Sequence, residues 1–156
     1  MEIMNSNLQG RLTDVGLLMI RVMLAVVFMY HGSQMLFGWF GGFGLQATAG
    51  FMEKIGIPYP LVGAILSGAT EFFGGLVLLI GTGTRIAAIP MAFNMAVACL
   101  TAHHGFNATT GGMEYPLTLG VILVSLVLMG PGRITVAMIC SCCRETEVRS
   151  QDSEEG

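Results

Sequence analysis

Glu71 is an ionisable residue inside a long apolar run, and its position therefore suggests a chemical role. It lies near the middle of a run, residues 61–80, that is otherwise apolar or small except for Ser67 and Thr70. As a helix, a run of about twenty residues crosses a hydrocarbon layer of about 30 Å. A carboxylate at that depth costs about 3 kcal/mol to insert, so we expect it to face protein or water and to have a partner.

Arg21 and Asn94 are the predicted partners of this carboxylate, because both fall inside other apolar runs. Counted from the same membrane face, Arg21 lies about 8 Å deep, and Glu71 and Asn94 lie about 13 Å deep. An arginine side chain spans that difference, so the sequence predicts one buried polar cluster of all three residues. Two roles stay open: a structural pair that fixes helix register, or a site that handles protons or binds a polar head group such as a quinone carbonyl.

Tyr30 and His31 lie in the first apolar run, closer to the opposite membrane face. Histidine can donate, accept and relay a proton near neutral pH. We therefore assign Tyr30, His31 and Glu71 as candidate ligand-binding residues. A neutral histidine bonded to a neighbouring helix remains the alternative for His31.

Four more polar residues are expected at that same face, where they predict an outer polar rim: His103, His104, Glu114 and Tyr115. Adjacent histidines on a helix point about 100° apart, and their spacing matches no zinc motif, so no metal site is predicted. The 12 methionines do not favour copper binding, because they are scattered through apolar runs, where methionine packs as a flexible hydrophobic residue.

The elements that position these residues are membrane helices. The mean hydropathy is +0.71, and 53% of residues are hydrophobic against 11% charged, which is outside the range of soluble domains. The sequence predicts an all-α integral membrane protein, a four-helix bundle whose spans cover residues 16–38, 59–80, 85–103 and 116–130. A short helix over residues 46–55, with Phe51, Met52 and Ile55 on one face, is expected to lie on the membrane surface.

The chain is predicted to divide into a polar N-terminus (1–14) that is loose or interfacial, a membrane domain (15–133) and a tail (134–156) that is first interfacial and then disordered. Arginines at 11, 85, 133, 144 and 149 fall on the side of both termini, and only Lys54 falls on the other. By the positive-inside rule, both termini are predicted to be cytoplasmic. Three cysteines follow the last apolar run, and metal binding, redox exchange or no role all stay open for them: Cys140, Cys142 and Cys143.

An ordered series of short motifs resembles the DoxX family over about residues 16–133. The series comprises Arg21, MYHGSQMLFG (29–38), GIPYP (56–60), Glu71 with Gly74 and Gly75, GTGTRIAA (81–88), HHGFN (103–107), GGMEYPL (111–117) and GPGR (130–133). The resemblance implies a multi-pass protein with four helices in the inner membrane of a bacterium or archaeon. Some members of the family are linked to quinone-coupled oxidation of thiosulfate and to oxidative-stress complexes. The residues after GFN and the CSCC segment (140–143) depart from the pattern.

Three functions stay open at this point. The first is a membrane subunit or accessory of a quinone-linked redox or oxidative-stress system, with quinone as the candidate cofactor. No haem, flavin or iron–sulfur motif is present, so electron transfer would need a membrane or soluble partner protein, and no catalytic residue is assignable. The others are a non-enzymatic membrane assembly protein and a small-solute transporter. The composition requires a lipid bilayer, excludes nucleic acid for lack of a basic patch, and allows a homo-oligomer.

Overall fold

The computed structural model describes residues 2–138, with side chains from residue 8 onward. This part of the chain is helical and contains no strand. Five α-helices follow in order: α1 (Glu2–Phe37), α2 (Gly44–Lys54), α3 (Pro60–Ile80), α4 (Thr84–Thr101) and α5 (Glu114–Met129). Two short 3-10 helices, Trp39–Gly41 and Ala108–Thr110, lie in the connections before α2 and α5. The cysteines at 140, 142 and 143 and most of the predicted tail lie outside the described residues.

The helix boundaries follow the hydropathy pattern except at the N-terminus. The predicted spans agree with α3, α4 and α5 within two residues, and the predicted surface helix agrees with α2. The N-terminal segment, expected to be loose or interfacial, is helical from residue 2 onward, because α1 begins at Glu2. No proline interrupts the polar segment before residue 15, so the helix continues beyond its apolar part.

Three of these helices are long and apolar enough to cross a membrane: Leu8–Phe37 of α1, and all of α3 and α4. α5 is apolar but has 16 residues. At 1.5 Å per residue it is about 24 Å long, which is less than a hydrocarbon core of about 30 Å. Large apolar side chains such as Ile86, Leu100 and Leu128 are more than 70% exposed, as expected for a surface in contact with lipid. The fold is a membrane helical bundle.

α3 is the central helix, because it contacts α1, α2 and α4. Two adjacent glycines of α3 contact different helices: Gly74 packs on Met91 of α4, and Gly75 packs on Met29 of α1. α1 packs on α3 most extensively and α4 packs mainly on α5, whereas α3 and α4 contact each other over fewer residues. The apolar core is formed by all four long helices, and its fully buried members include Phe28, Leu78, Met91, Leu123 and Leu126.

The two ends of the bundle differ in chemistry. At one end, Arg21 donates to the carbonyl of Pro131, and the backbone N–H of Arg133 donates to Asp14. The start of the apolar part of α1 and the end of α5 therefore lie together, and we call this the arginine end. The opposite end, which carries His31, His103 and His104, is the histidine end.

Gly32 permits the close approach of α1 to α3, so Gly32→Ala should destabilise the protein. An added Cβ would lie 2.5 Å from the backbone nitrogen of Phe72, which cannot move independently. Overpacking of this kind costs about 1–3 kcal/mol. Gly16→Ala in the same helix is the matched control, because a Cβ there meets nothing within 4 Å. Thermal unfolding in detergent measures both, and an equal change in melting temperature would contradict the packing described.

Reporter fusions test the predicted orientation. A fusion after Lys54, at the histidine end, should report the periplasmic side, and a fusion at the C-terminus should report the cytoplasm. The physical reason is the excess of arginine at the arginine end, since positively charged loops are retained in the cytoplasm. Fusions reporting the same side would mean that α5 does not span.

Candidate functional site

The structure joins Glu71 to Asn94 and Ser67 in a short chain of hydrogen bonds. Glu71 is 7% exposed, and its Oε1 accepts a hydrogen bond from Asn94 Nδ2 of α4 at 2.9 Å. The hydroxyl of Ser67, one turn earlier on α3, donates to Asn94 Oδ1, also at 2.9 Å. The hydroxyl of Ser67 binds the amide oxygen, and the amide nitrogen binds the carboxylate, so the two hydrogen bonds together fix the orientation of the Asn94 amide.

The second carboxylate oxygen of Glu71 is not used in this chain. No group in the described part of the protein donates to Oε2. Among the described residues, no side-chain nitrogen or oxygen atom is fully buried without a hydrogen-bond partner. Oε2 therefore borders open space, and it can accept a hydrogen bond from another molecule.

That open space is a cavity of about 480 Å³ that lies between α2, α3 and α4, and we call it the main cavity. Its volume is within the range of small-molecule binding sites. The walls are mostly apolar, and the polar groups collect along the contact between α3 and α4. The lining includes Met35 of α1, Phe51 and Met52 of α2, Ser67 and Glu71 of α3, Phe93 and Asn94 of α4, and His103 just after α4.

The apolar face of α2 closes this cavity. Phe51, Met52 and Ile55 were predicted to share one face of a surface helix, and all three line the main cavity. Thr48 on the same helix lines it too, and its hydroxyl donates to the carbonyl of Gly44 at 2.8 Å. The sequence pattern of α2 therefore predicted the correct apolar face. In the structure, α2 packs against α3, and this face lines the main cavity.

Arg21 lies elsewhere, so the predicted pairing of Arg21 with Glu71 is not found. The guanidinium is 1% exposed and donates to three backbone carbonyls: Leu78 at 3.1 Å, Pro131 at 2.6 Å and Ile134 at 2.8 Å. α1 runs antiparallel to α3, which places Arg21 beside Leu78 and Gly81. Seven residues separate Leu78 from Glu71, a distance of about 10 Å along the helix. The predicted cluster therefore divides into a Glu71–Asn94 site and a separate Arg21 site.

His31 and Tyr30 are not among the residues that line the main cavity. Nε2 of His31 lies 3.3 Å from the hydroxyl of Tyr115, which connects α1 to α5, and the ring of Tyr30 stacks on Phe40. His31 lines a smaller neighbouring cavity of about 260 Å³, which shares Met35 and Thr48 with the main cavity. The structure thus does not bring Tyr30, His31 and Glu71 into one cavity.

The predicted outer rim separates into residues with different roles. His103 lines the main cavity, and its Nδ1 lies 3.0 Å from the carbonyl oxygen of Ala98. A carbonyl can only accept, so Nδ1 carries a hydrogen in this contact. Glu114 instead accepts a hydrogen bond from the backbone N–H of Ala108, which holds the loop before α5.

The remaining rim residues add no metal site. His104 is exposed, and Tyr115 contacts His31 as described. In the described part of the chain, no group of three or more His, Cys, Asp or Glu side chains is placed to hold a metal ion.

Comparison with known proteins identifies the family. The family model described as DoxX matches residues 16–104, which is more than half of the chain. The chain belongs to the DoxX family. All residues that line the main cavity fall within the DoxX match, whereas Glu114 and Tyr115 fall outside it.

Relatives of this DoxX protein come from several bacteria. The Escherichia coli (strain K12) inner membrane protein YqjF is 27% identical over 81% of this chain and 92% of its own length. The Mycobacterium tuberculosis (strain ATCC 25618 / H37Rv) membrane protein Rv3486 is 31% identical over 73% of this chain and 74% of its own. The Bacillus subtilis (strain 168) protein "Putative oxidoreductase CatD" is 28% identical over 75% of this chain and 81% of its own. No solved structure matches the chain significantly.

The separation of the two sites predicts that Arg21→Gln and Glu71→Gln act independently on stability. Arg21→Gln should lower the free energy of unfolding by about 3 kcal/mol or more, because it leaves buried carbonyls without their charged donor. Sites about 10 Å apart without shared partners add within about 0.5 kcal/mol, so the double variant should equal the sum of the single variants.

Unfolding in detergent, followed by circular dichroism, measures this sum, and Arg11→Gln is the exposed control. Arg21→Lys should recover only part of the loss, since an ammonium lacks the fork that reaches several carbonyls. A double variant that is clearly more stable than the sum would mean that Arg21 and Glu71 contact each other.

Proposed function

We propose that the main cavity binds a small amphipathic ligand of the quinone type, and that the protein serves as a membrane component of a redox system. The observation that carries this proposal is a buried carboxylate with one free oxygen in an otherwise apolar cavity. Such a cavity suits a ligand with an apolar body and a few polar atoms. The name of the Bacillus subtilis relative, which includes the word oxidoreductase, agrees with this role.

The polar groups of the cavity suit both redox states of such a ligand. A quinone offers carbonyl acceptors, and Asn94 Nδ2 has a second N–H beside the one given to Glu71. A hydroquinone offers hydroxyl donors, and Glu71 Oε2 is an acceptor without a donor in the described structure. Electrons would pass to a partner protein, because the sequence carries none of the haem, flavin or iron–sulfur motifs.

Titration of the purified protein with a short-chain quinone analogue, in oxidised and reduced form, tests the proposal. Asn94→Leu should weaken binding of both forms by about tenfold, because the ligand loses a buried hydrogen-bonding partner and the carboxylate its donor. Glu71→Gln should weaken the reduced form, since its amide replaces an acceptor oxygen by a donor. Mass spectrometry of protein purified in mild detergent identifies bound quinone and co-purified partners.

His31→Ala is the matched control for these two variants. His31 was predicted to share the ligand site, but the structure places it in the neighbouring cavity, so its removal should leave affinity unchanged. Absence of binding, or binding that neither Asn94→Leu nor Glu71→Gln weakens, would refute the redox role and favour a membrane assembly role.

A further inference from the structure

The charge of the main cavity is a property that a neutral quinone does not use. Among the described residues that line it, Glu71 is the carboxylate, and none is lysine or arginine. Arg21, the expected counterion, donates instead to the carbonyls of Leu78, Pro131 and Ile134. The groups that bond to Glu71 and Asn94 are a neutral amide and a hydroxyl. Protein dipoles therefore orient the carboxylate, but no lysine or arginine among the described residues of the cavity wall neutralises it.

The other charged side chains on the enclosing helices do not supply this counterion. On α2, Glu53 and Lys54 are adjacent, exposed and opposite in charge. On α4, Arg85 is at the first turn, where its guanidinium lies 3.4 Å from the carbonyl of Leu128 at the arginine end. Nine residues, about 13 Å of helix, separate it from Asn94. A buried carboxylate without a cationic partner is costly in an apolar environment, so a cation from outside is favoured there.

We infer that the main cavity binds a lipophilic organic cation, such as a quaternary ammonium or phosphonium ion with apolar substituents, which pairs with Glu71. The free Oε2 faces the positive centre, and the apolar walls receive the substituents. Phe51 and Phe93 offer aromatic faces, and Met35 and Met52 offer polarisable thioethers, both of which attract a poorly hydrated cation. This inference does not depend on the quinone.

The cavity is accessible from the side of the bundle. Phe51 is 51% exposed and Phe93 is 71% exposed, although both line the cavity. Their outer edges face the surroundings of the bundle between α2 and α4. A cation with apolar substituents concentrates in a membrane, so it reaches this opening from the lipid.

Two ions of the same shape and opposite charge test the inference. Tetraphenylphosphonium and tetraphenylborate are titrated separately into the purified full-length protein, with detergent micelles alone as the blank. The phosphonium ion should bind saturably to the wild type, and the borate ion should not, because the carboxylate repels it. This comparison needs no variant, so it stays decisive even if a substitution impairs folding. Equal binding of the two ions would overturn the inference.

Variants then locate the site. Glu71→Gln keeps the shape of the side chain and removes its charge, so phosphonium affinity should fall by at least about tenfold. Glu53→Gln removes an exposed carboxylate at the end of α2 and should leave affinity unchanged. Unaltered phosphonium binding in Glu71→Gln that melts like the wild type would overturn the inference. Quinone binding without phosphonium binding would reject this inference alone, and the reverse result would reject the proposed redox role alone.

Discussion

The guanidinium of Arg21 is the interaction on which the arrangement of the bundle depends. It donates to Leu78 near the end of α3 and to Pro131 and Ile134 after α5, so one side chain of α1 connects three parts of the chain. The last carbonyls of a helix have no partner within that helix, and in a membrane there is little water to replace it. Gly81 leaves room for the guanidinium of Arg21, because a Cβ at position 81 would collide with it. The φ of 86° at this position also favours glycine.

This use of Arg21 determines what Glu71 can do. An arginine whose donors are occupied by carbonyls at one end of the bundle does not neutralise a carboxylate two turns away. Glu71 instead accepts a hydrogen bond from Asn94, a neutral donor that binds one carboxylate oxygen and leaves the other open. A salt bridge would have filled this site with protein atoms and given it a structural role. The separation of Arg21 from Glu71 is therefore the reason that the carboxylate in the main cavity has no arginine partner.

The sequence predicted the helices and their order, because long apolar runs allow little else in a membrane. It also placed Glu71 and Asn94 at equal depth, which their hydrogen bond agrees with. It failed on Arg21 because residue counts placed this residue within about 5 Å of the depth of Glu71, whereas α1 packs on α3 so that Arg21 lies beside Leu78, about 10 Å along the helix from Glu71. Ser67 was not recognised as part of the site, although it lies four residues before Glu71 on the same face. The cavity lies where α3 and α4 contact each other over few residues. The spacing of residues within one helix does not predict how closely two helices pack, so the sequence did not predict this cavity.

α2 connects these features to access. Each of its two linkers contains a non-glycine residue with positive φ, Phe40 before the helix and Tyr59 after it, both at 54°. Such conformations are unfavourable for bulky side chains, so they persist where the surrounding structure requires the chain to turn sharply. The turns place the apolar face of α2 against α3, where it lines the same cavity as Ser67 and Glu71. A short helix held in this way covers one side of the buried carboxylate, and the proposed ligand would reach Glu71 through the side of the bundle between α2 and α4.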